Sequence, residues 1–151
     1  MQIREALLGE EEKISELINT YANEDIGPWK HWTPRKVREK ILFKNDFFLV
    51  HEDDSGMTGI VLLSLIDKDL ADIRFLIVKE EERGKGIGSS LLEESLKFLK
   101  EKGIRKVITR VDSENTVSES LFKKHGFEEE GFFKNHYRKG VHIKQLFLFL
   151  K

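Results

Sequence analysis

Three glycines alternate with other residues at the point where an apolar segment gives way to an amphipathic one. The string Arg83-Gly84-Lys85-Gly86-Ile87-Gly88 follows an apolar run that ends at Val78, and a helical pattern begins at Ser89. The start of a helix presents backbone N–H groups without intrahelical acceptors and carries a partial positive charge. Glycines let an anion approach such a backbone closely and permit unusual dihedral angles. The turn therefore predicts a binding site for phosphate or pyrophosphate.

Two familiar phosphate-binding motifs do not match this turn. A Walker A loop has two glycines separated by four residues and followed by Lys and then Ser or Thr, and no such string occurs. A dinucleotide fingerprint has the pattern G-x-G-x-x-G. Its third glycine is replaced by Ser89 if the pattern starts at Gly84, and by Leu91 if it starts at Gly86. The turn also lies in the middle of the chain rather than in an opening βαβ unit. A strand-to-helix corner that binds no ligand remains the structural alternative.

The first half of the chain predicts four strands and two helices that lead into this turn. A short strand in MQIREAL precedes a helix in GEEEKISELINTYANE, where apolar residues recur at helical spacing. A second helix follows, for which Thr33 is a candidate cap and Pro34 a candidate first residue. The segments DFFLVHE and MTGIVLLSLI, separated by a polar turn, predict an antiparallel hairpin. LADIRFLIV is the strand that enters the glycines.

The second half predicts alternating helices and strands. SSLLEESLKFLKEKG is an amphipathic helix with Gly103 as its stop, IRKVITRVD is a strand, and NTVSESLFKKHG is a short helix that ends at Gly126. FEEEGFFKNHYRKGVHIKQLFLFLK closes the chain as two strands around RKG. The predicted fold class is α/β with a central mixed sheet and helices on both faces, in the order β-α-α-β-β-β-α-β-α-β-β.

Composition limits the classes of protein that the chain can belong to. Its 151 residues, 39% of them hydrophobic, predict a single domain over residues 1–151. A formal charge of −1 argues against a nucleic-acid or membrane partner, and neither a long apolar run nor a signal peptide is evident, so a cytoplasmic protein is expected. The absence of Cys excludes disulfides and thiolate chemistry. The Lys- and Glu-rich composition, with Gln2 and Gln145 as the only glutamines, is typical of thermophiles.

The glycine turn resembles the acyl-CoA signature of the GNAT acetyltransferases, which is Gln or Arg, two residues of any kind, Gly, any residue, and then Gly or Ala. Farther along, GNAT proteins carry Asn, a small residue, Leu-Tyr and Gly-Phe. NTVSESLFKKHGF supplies the corresponding residues: Asn115, Ser118, Leu121, Phe122, Gly126 and Phe127. The predicted element order agrees with the family over nearly the whole length. The resemblance implies an N-acetyltransferase that transfers an acetyl group directly from acetyl-CoA to an amine without a metal.

The resemblance also implies which residues bind coenzyme A. The main chain of residues 76–78 would contact the pantetheine arm, and the turn would hold the pyrophosphate. Asn115 would contact the cofactor from the end of the next strand, and Phe122 would lie near the thiol. The full set comprises Leu76, Ile77, Val78, Arg83, Gly84, Lys85, Gly86, Ile87, Gly88, Ser89, Asn115 and Phe122. A core strand at residues 76–78 and a helix cap at Asn115 are structural alternatives that do not exclude these roles.

The catalytic groups are less well defined. Asp72 has the spacing of the acidic base of GNAT lysine acetyltransferases, and its alternative is a polar strand residue that faces solvent. The acidic residues of KEEER are further candidates for the base or simply a solvated surface. Phe122 stands where many GNAT enzymes carry the Tyr that protonates the leaving thiolate. Tyr137 could replace that Tyr or be an ordinary strand aromatic, and His125 is expected to cap a helix.

The acceptor would be recognised by the region between the first two helices and by the terminal hairpin. Tyr21, Trp29 and Trp32 are either lid aromatics or core residues, and the basic segment KNHYRKGVHIK either favours an acidic acceptor or only covers a hairpin tip. The hairpin resembles that of the ribosomal-protein and N-terminal acetyltransferase branch, so a protein or peptide α-amine is the leading acceptor. A small amine or amino acid is the alternative, as is a non-catalytic module that binds acyl-CoA. A monomer or a homodimer is expected.

Overall fold

A seven-stranded mixed sheet with helices on both faces forms the frame of the protein. The computed structural model describes residues 2–22 and 31–151. The strands are β1 (Gln2–Glu5), β2 (Asp46–Asp53), β3 (Gly56–Asp67), β4 (Leu70–Val78), β5 (Lys106–Asp112), β6 (Glu128–Phe133) and β7 (Ile143–Phe149). The helices are α1 (Glu11–Tyr21), α2 (Pro34–Leu42), α3 (Ile87–Glu101) and α4 (Thr116–Lys124), with a 3-10 turn at Glu80–Glu82. The predicted fold class and element order are confirmed.

The sheet has the strand order β1-β2-β3-β4-β5-β7-β6. β4 and β5 form its parallel pair, whereas the other neighbouring strands are antiparallel. The parallel pairing is short, since it extends only from Leu70 opposite Lys106 to Ile73 opposite Thr109. Beyond these residues β4 and β5 continue without pairing with each other. A gap therefore opens in the middle of the sheet on the side of the glycine turn.

A β-bulge in β4 changes which face of the sheet its side chains occupy. Leu63 pairs with Ile73 and Leu62 with Phe75, so Arg74 is an extra residue without a partner in β3. Ile73 packs in the core beneath α3 and α4, here called the α3–α4 face. Phe75 packs in the core beneath α1 and α2, here called the α1–α2 face. Ile73 and Phe75 are two positions apart yet pack on opposite faces, which a strand without the bulge would not allow.

Among the described residues, the α1–α2 core covers only half of its face. Its buried residues belong to α1, α2 and the loop before α2, or to β2, β3 and β4, and among the described residues none comes from β5, β6 or β7. Trp32 lies at its centre, 2% exposed, with its ring edge-to-face against Phe75 at 5.5 Å between centroids. Of the two alternatives for Trp32, the core residue is therefore correct. Trp29 lies outside the described residues.

The predicted helix boundaries are mostly confirmed by capping contacts. Thr33 Oγ1 accepts from Lys36 N at 3.1 Å, and Pro34 is the first residue of α2. Asn115 Oδ1 accepts from Ser118 N at 3.1 Å at the start of α4. α3 begins at Ile87, two residues earlier than predicted, so the glycine turn supplies its first residues. No helix in the described part of the chain combines the length and apolarity needed to cross a membrane.

Candidate active site

A cavity of about 780 Å³ occupies the gap between β4 and β5. Its walls come from both faces of the sheet, because Tyr21 of α1 and Phe122 of α4 both line it. The glycine turn forms one end, and Arg74, Thr109 and Arg110 lie where the two strands separate. The cavity therefore runs from the start of α3 through the sheet towards the α1–α2 face.

The glycine turn has the backbone conformation that its sequence predicted. Gly84 and Gly86 have φ angles of +81° and +83°, which side chains of L-residues rarely tolerate. A Cβ at either position would meet no atom within 4 Å. Glycine is therefore required there by the positive φ angle and not by a steric clash with other residues. Gly86 caps α3 without a side chain. The first amides of α3 therefore face the cavity with no capping side chain in front of them, which is the arrangement that an anion needs.

Eleven of the twelve residues predicted to bind coenzyme A line the cavity: Leu76, Ile77, Val78, Arg83, Gly84, Gly86, Ile87, Gly88, Ser89, Asn115 and Phe122. The exception is Lys85, whose Nζ lies 2.6 Å from Glu82 Oε2 in an ion pair at the surface. Arg83 donates from Nε to the carbonyl of Val78 at 3.2 Å, which ties the turn to the end of β4.

The edge of β4 beyond the bulge can accept an extended ligand. Its residues 76–78 pair with β3 on one side through Val61, Ile60 and Gly59. On the other side β5 has already diverged, so the amide and carbonyl groups of this edge face the cavity. Because coenzyme A combines a pyrophosphate with an amide-containing pantetheine arm, both the glycine turn and this edge fit it.

Asp72 lies just before the point where the strands separate, and it does not line the cavity. Its register partners are Ser64 in β3 and Ile108 in β5. Only 20% of its side chain is exposed, which does not match the solvent-facing alternative. Burial raises the pKa of Asp72 to about 6, although the charges of Arg74 and Arg110 oppose this shift. Arg74 Nε lies 4.0 Å from Asp72 Oδ2.

The acidic run before the glycine turn forms the 3-10 turn at the mouth of the cavity. Glu80 and Glu81 are exposed there, while Glu82 pairs with Lys85. Tyr21 donates its hydroxyl proton to Glu81 Oε1 at 2.7 Å, and this hydrogen bond raises the pKa of Tyr21. The contact joins the end of α1 to the turn that precedes α3. Tyr21 thus lines the cavity and also packs, partly buried, against the α1–α2 core.

The two aromatic residues considered for proton transfer lie in different places. Phe122 is 4% exposed, lines the cavity and packs edge-to-face on Phe127 at 5.2 Å between ring centroids. Tyr137 lies in the connection between β6 and β7 beside His136, and it is not among the residues that line the cavity. His125 contacts the carbonyl of Leu121 through Nδ1 at 3.0 Å at the end of α4, as expected for a cap.

Sequence reasoning did not identify the two arginines of the site. Arg74 and Arg110 both line the cavity where β4 and β5 separate. Arg74 is the bulge residue, and nothing in the local sequence marks a bulge. Arg110 is the first residue of β5 after its pairing with β4 ends, which depends on how two distant segments diverge.

Comparison with known proteins gives the family. Residues 12–127 match the model of the Acetyltransferase (GNAT) family. The chain belongs to the GNAT family. An uncharacterized N-acetyltransferase of Chlorobaculum tepidum is 32% identical over 127 residues, which cover 84% of this chain and 75% of that protein. A Bacillus subtilis protein, provisionally named a ribosomal protein bS18 alanine N-acetyltransferase, is 27% identical and matches over 83% of each chain.

Two further comparisons support the GNAT fold and its chemistry. A spermidine N(1)-acetyltransferase of Thermoplasma acidophilum is 31% identical over 73% of this chain and 71% of that protein. The structure of spermidine N-acetyltransferase from Vibrio cholerae, in complex with coenzyme A and spermine, superposes with a TM-score of 0.82 at 21% identity, over 98% and 94% of the two chains. This GNAT protein is an N-acetyltransferase, and acetyl-CoA is the donor that its family uses.

Proposed function

We propose that this GNAT enzyme transfers the acetyl group of acetyl-CoA to the α-amine of a protein or peptide. Bound acetyl-CoA supplies an activated acyl group and a thiolate leaving group. Residues 83–89 hold its pyrophosphate on the backbone amides at the start of α3, and the free edge of β4 at residues 76–78 holds the pantetheine arm. Asn115 and Phe122 complete the binding site from α4. The acceptor approaches from the uncovered half of the α1–α2 face.

The pKa of Asp72 is the observation that carries the choice of acceptor. A group with a pKa of about 6 accepts a proton from an α-ammonium of pKa near 7.8 at a cost of about 2–3 kcal/mol. The same transfer from a lysine ammonium of pKa near 10.4 costs about 6 kcal/mol. Asp72 is therefore suited as the general base for an α-amine, acting through a water molecule because it does not line the cavity.

The charge at the strand separation also favours an α-amine over a polyamine. Arg74 and Arg110 both line the cavity there. Burial, together with the charges of Lys40 and Arg74, lowers the pKa of nearby Lys36 to about 8. A polyamine would bring several positive charges towards these groups, whereas a peptide N-terminus brings one. The spermidine acetyltransferase among the relatives keeps a small amine as the second candidate.

Matched peptides can test the proposed acceptor. One peptide has a free N-terminus and no lysine, and a second has a blocked N-terminus and one internal lysine; spermidine is the third acceptor. Thiol release from acetyl-CoA and the mass of the product are measured for each. We expect release with the free α-amine alone and a mass gain on the N-terminal residue. Acetylation of spermidine or of the lysine peptide at equal or higher rates would contradict the proposal.

The buried Phe122 supports an alternative function that is not catalytic. It lines the cavity and has no proton to give, which would suit a module that binds acyl-CoA without catalysing transfer. Calorimetry with acetyl-CoA, run beside the thiol-release assay, separates the two functions. Binding without release for any of the three acceptors would support the module and contradict the enzyme.

A further inference from the structure

The uncovered half of the α1–α2 face carries a chain of polar contacts that ends at the cavity. Lys106 Nζ donates to Glu130 Oε1 at 2.8 Å, and Gln145 Nε2 donates to Glu130 Oε2 at 2.7 Å. Arg110 Nε in turn donates to Gln145 Oε1 at 3.1 Å. The guanidinium also lies 5.2 Å from the ring centroid of Phe133. These contacts fix the orientation of Arg110, and they use only one of the five N–H donors of its guanidinium.

Arg74 reaches the same region from the opposite side of the gap. It is the bulge residue of β4, its side chain is 30% exposed, and it lines the cavity together with Arg110. Asp72, at 4.0 Å from Arg74 Nε, is the nearest carboxylate in the described structure, and its pKa of about 6 leaves it partly protonated in mildly acidic solution. Two guanidiniums thus face the space through which an acceptor must pass. Guanidinium groups bind carboxylates through paired, charge-assisted hydrogen bonds.

We propose that Arg74 and Arg110 select the acceptor by binding a carboxylate on the residue that follows the acetylated N-terminal residue. This inference rests on the proposed transfer to a peptide α-amine. Consecutive Cα atoms are about 3.8 Å apart, so an acidic side chain at the second position stays close to the reacting amine. A lysine at that position would meet two positive charges, and a glutamine would lose the ionic part of the interaction. Arg110 is pre-oriented for this contact, whereas Arg74 exchanges a long contact with Asp72 for a shorter one.

Three peptides that differ only at the second residue test the selection. They share an N-terminal Ala, a lysine-free remainder and either Glu, Gln or Lys at position two. We expect kcat/KM to fall in that order, by about 10- to 100-fold between Glu and Lys, with the difference in KM rather than kcat. Calorimetry with the same peptides and the enzyme saturated with coenzyme A should show the same order of affinities. The preference should weaken at high salt.

Substitutions that remove or reverse the charge of an arginine test whether the preference for Glu depends on Arg74 and Arg110. Arg74→Gln and Arg110→Gln should each reduce the preference for Glu, and Arg74→Glu should favour Lys over Glu. Arg105→Gln is the matched control, because Arg105 pairs with Asp69 at 3.1 Å on the surface and does not line the cavity. Equal kcat/KM and equal affinity for the three peptides, with thiol release intact, would overturn the carboxylate site and leave the proposed function standing. Absence of release with every peptide would overturn the proposed function itself.

Discussion

Thr109 and Ile73 form the last contact between β4 and β5. Thr109 Oγ1 donates to the carbonyl of Ile73 at 2.9 Å, and the same two residues are the final register pair of the two strands. Thr109 is 2% exposed and Ile73 is 1% exposed, so this junction is shielded from water. The side-chain hydrogen bond therefore fixes the inner end of the cavity, and with it the depth to which a ligand can enter the sheet.

Acetyl-CoA binding should depend on Gly86 for a reason other than folding. Gly86→Asp places a carboxylate beside the proposed pyrophosphate site and imposes a left-handed backbone on a non-glycine residue. We expect affinity for acetyl-CoA to fall by about 10²-fold or more through charge repulsion. Gly140→Asp is the control, since Gly140 has a φ of +85° in the β6–β7 connection and open space around it. Calorimetry showing equal affinity in both folded variants would exclude this turn as the pyrophosphate site.

Asp72 should set the lower limb of the pH–rate profile. With the wild-type enzyme and a peptide acceptor, we expect kcat/KM to rise through an inflection near pH 6, the pKa of Asp72, and then again as the α-amine loses its proton. Asp72→Asn should lower turnover by about 10²- to 10⁴-fold and remove the lower inflection. A variant with the wild-type rate at pH 7 would show that Asp72 has only a structural role.

Asp72 should make the folded state less stable as the pH rises, whereas it should make the enzyme faster. The pKa of Asp72 is raised from 3.8 to about 6 on folding, so between these values the folded state binds more protons than the unfolded state. Its contribution to stability therefore falls as pH rises from about 4 to about 6 and stays low above that range. Asp72→Asn should be more stable than wild type at pH 7, by up to about 3 kcal/mol, and equal near pH 4. Denaturant unfolding at both pH values measures this, with Asp69→Asn as the control, since the Asp69 side chain is 44% exposed and pairs with Arg105.

The source of the proton for the leaving thiolate can be located with three variants. If Tyr137 supplies it, Tyr137→Phe should lower kcat by about tenfold or more with unchanged acetyl-CoA affinity. Tyr137 does not line the cavity, and the Tyr21 hydroxyl donates to Glu81, so we expect Tyr137→Phe and Tyr21→Phe to change kcat little. Because Phe122 lines the cavity, Phe122→Tyr should raise kcat. A thiol pKa near 8.5 means that leaving unprotonated costs only about 2 kcal/mol at pH 7. A large loss in Tyr137→Phe would return the role to Tyr137.

Gly59 in β3 should be essential for the seating of α3. A Cβ there would lie 2.9 Å from Leu91 Cδ1, and 3.2 Å from both the carbonyl of Ile77 and Ile87 Cγ2. We expect Gly59→Ala to destabilise the protein by about 1–3 kcal/mol and, because Ile87 begins α3, to weaken acetyl-CoA binding. Gly88→Ala is the control for stability, since its nearest contact is an ordinary 3.4 Å to Leu121 Cδ2. Thermal unfolding that leaves both variants equal would contradict this packing.

The sequence predicted the fold and the conformation of the glycine turn because both depend on local signals. Thr33 and Asn115 identify helix starts through side chains that satisfy the nearest amides, and their caps are present in the structure. Gly84 and Gly86 identify a backbone conformation that other residues avoid. Each of these signals acts within a few residues, so it can be read without knowing which segments meet.

The region where β4 and β5 separate could not be predicted because it depends on how distant segments meet. The gap beyond Thr109 exists because β5 diverges from β4, and neither strand shows this in its own residues. The orientation of Arg110 depends on Gln145, 35 positions away. The burial of Asp72, and hence its raised pKa, depends on the neighbouring strands on both sides. Such properties follow from tertiary packing rather than from local pattern.

The bulge at Arg74 separates the proposed acceptor preference from the folding of the sheet. Ala71, Ile73, Phe75 and Ile77 occupy alternate positions, yet the first two pack on the α3–α4 face and the last two on the α1–α2 face. The extra backbone residue at position 74 divides them between the two cores, because residues two apart in a regular strand share one face. Replacing its side chain would leave that alternation intact. The bulge thus depends on the backbone at this position rather than on the arginine side chain, so under the proposed preference one substitution there would change the acceptor without any rebuilding of the sheet.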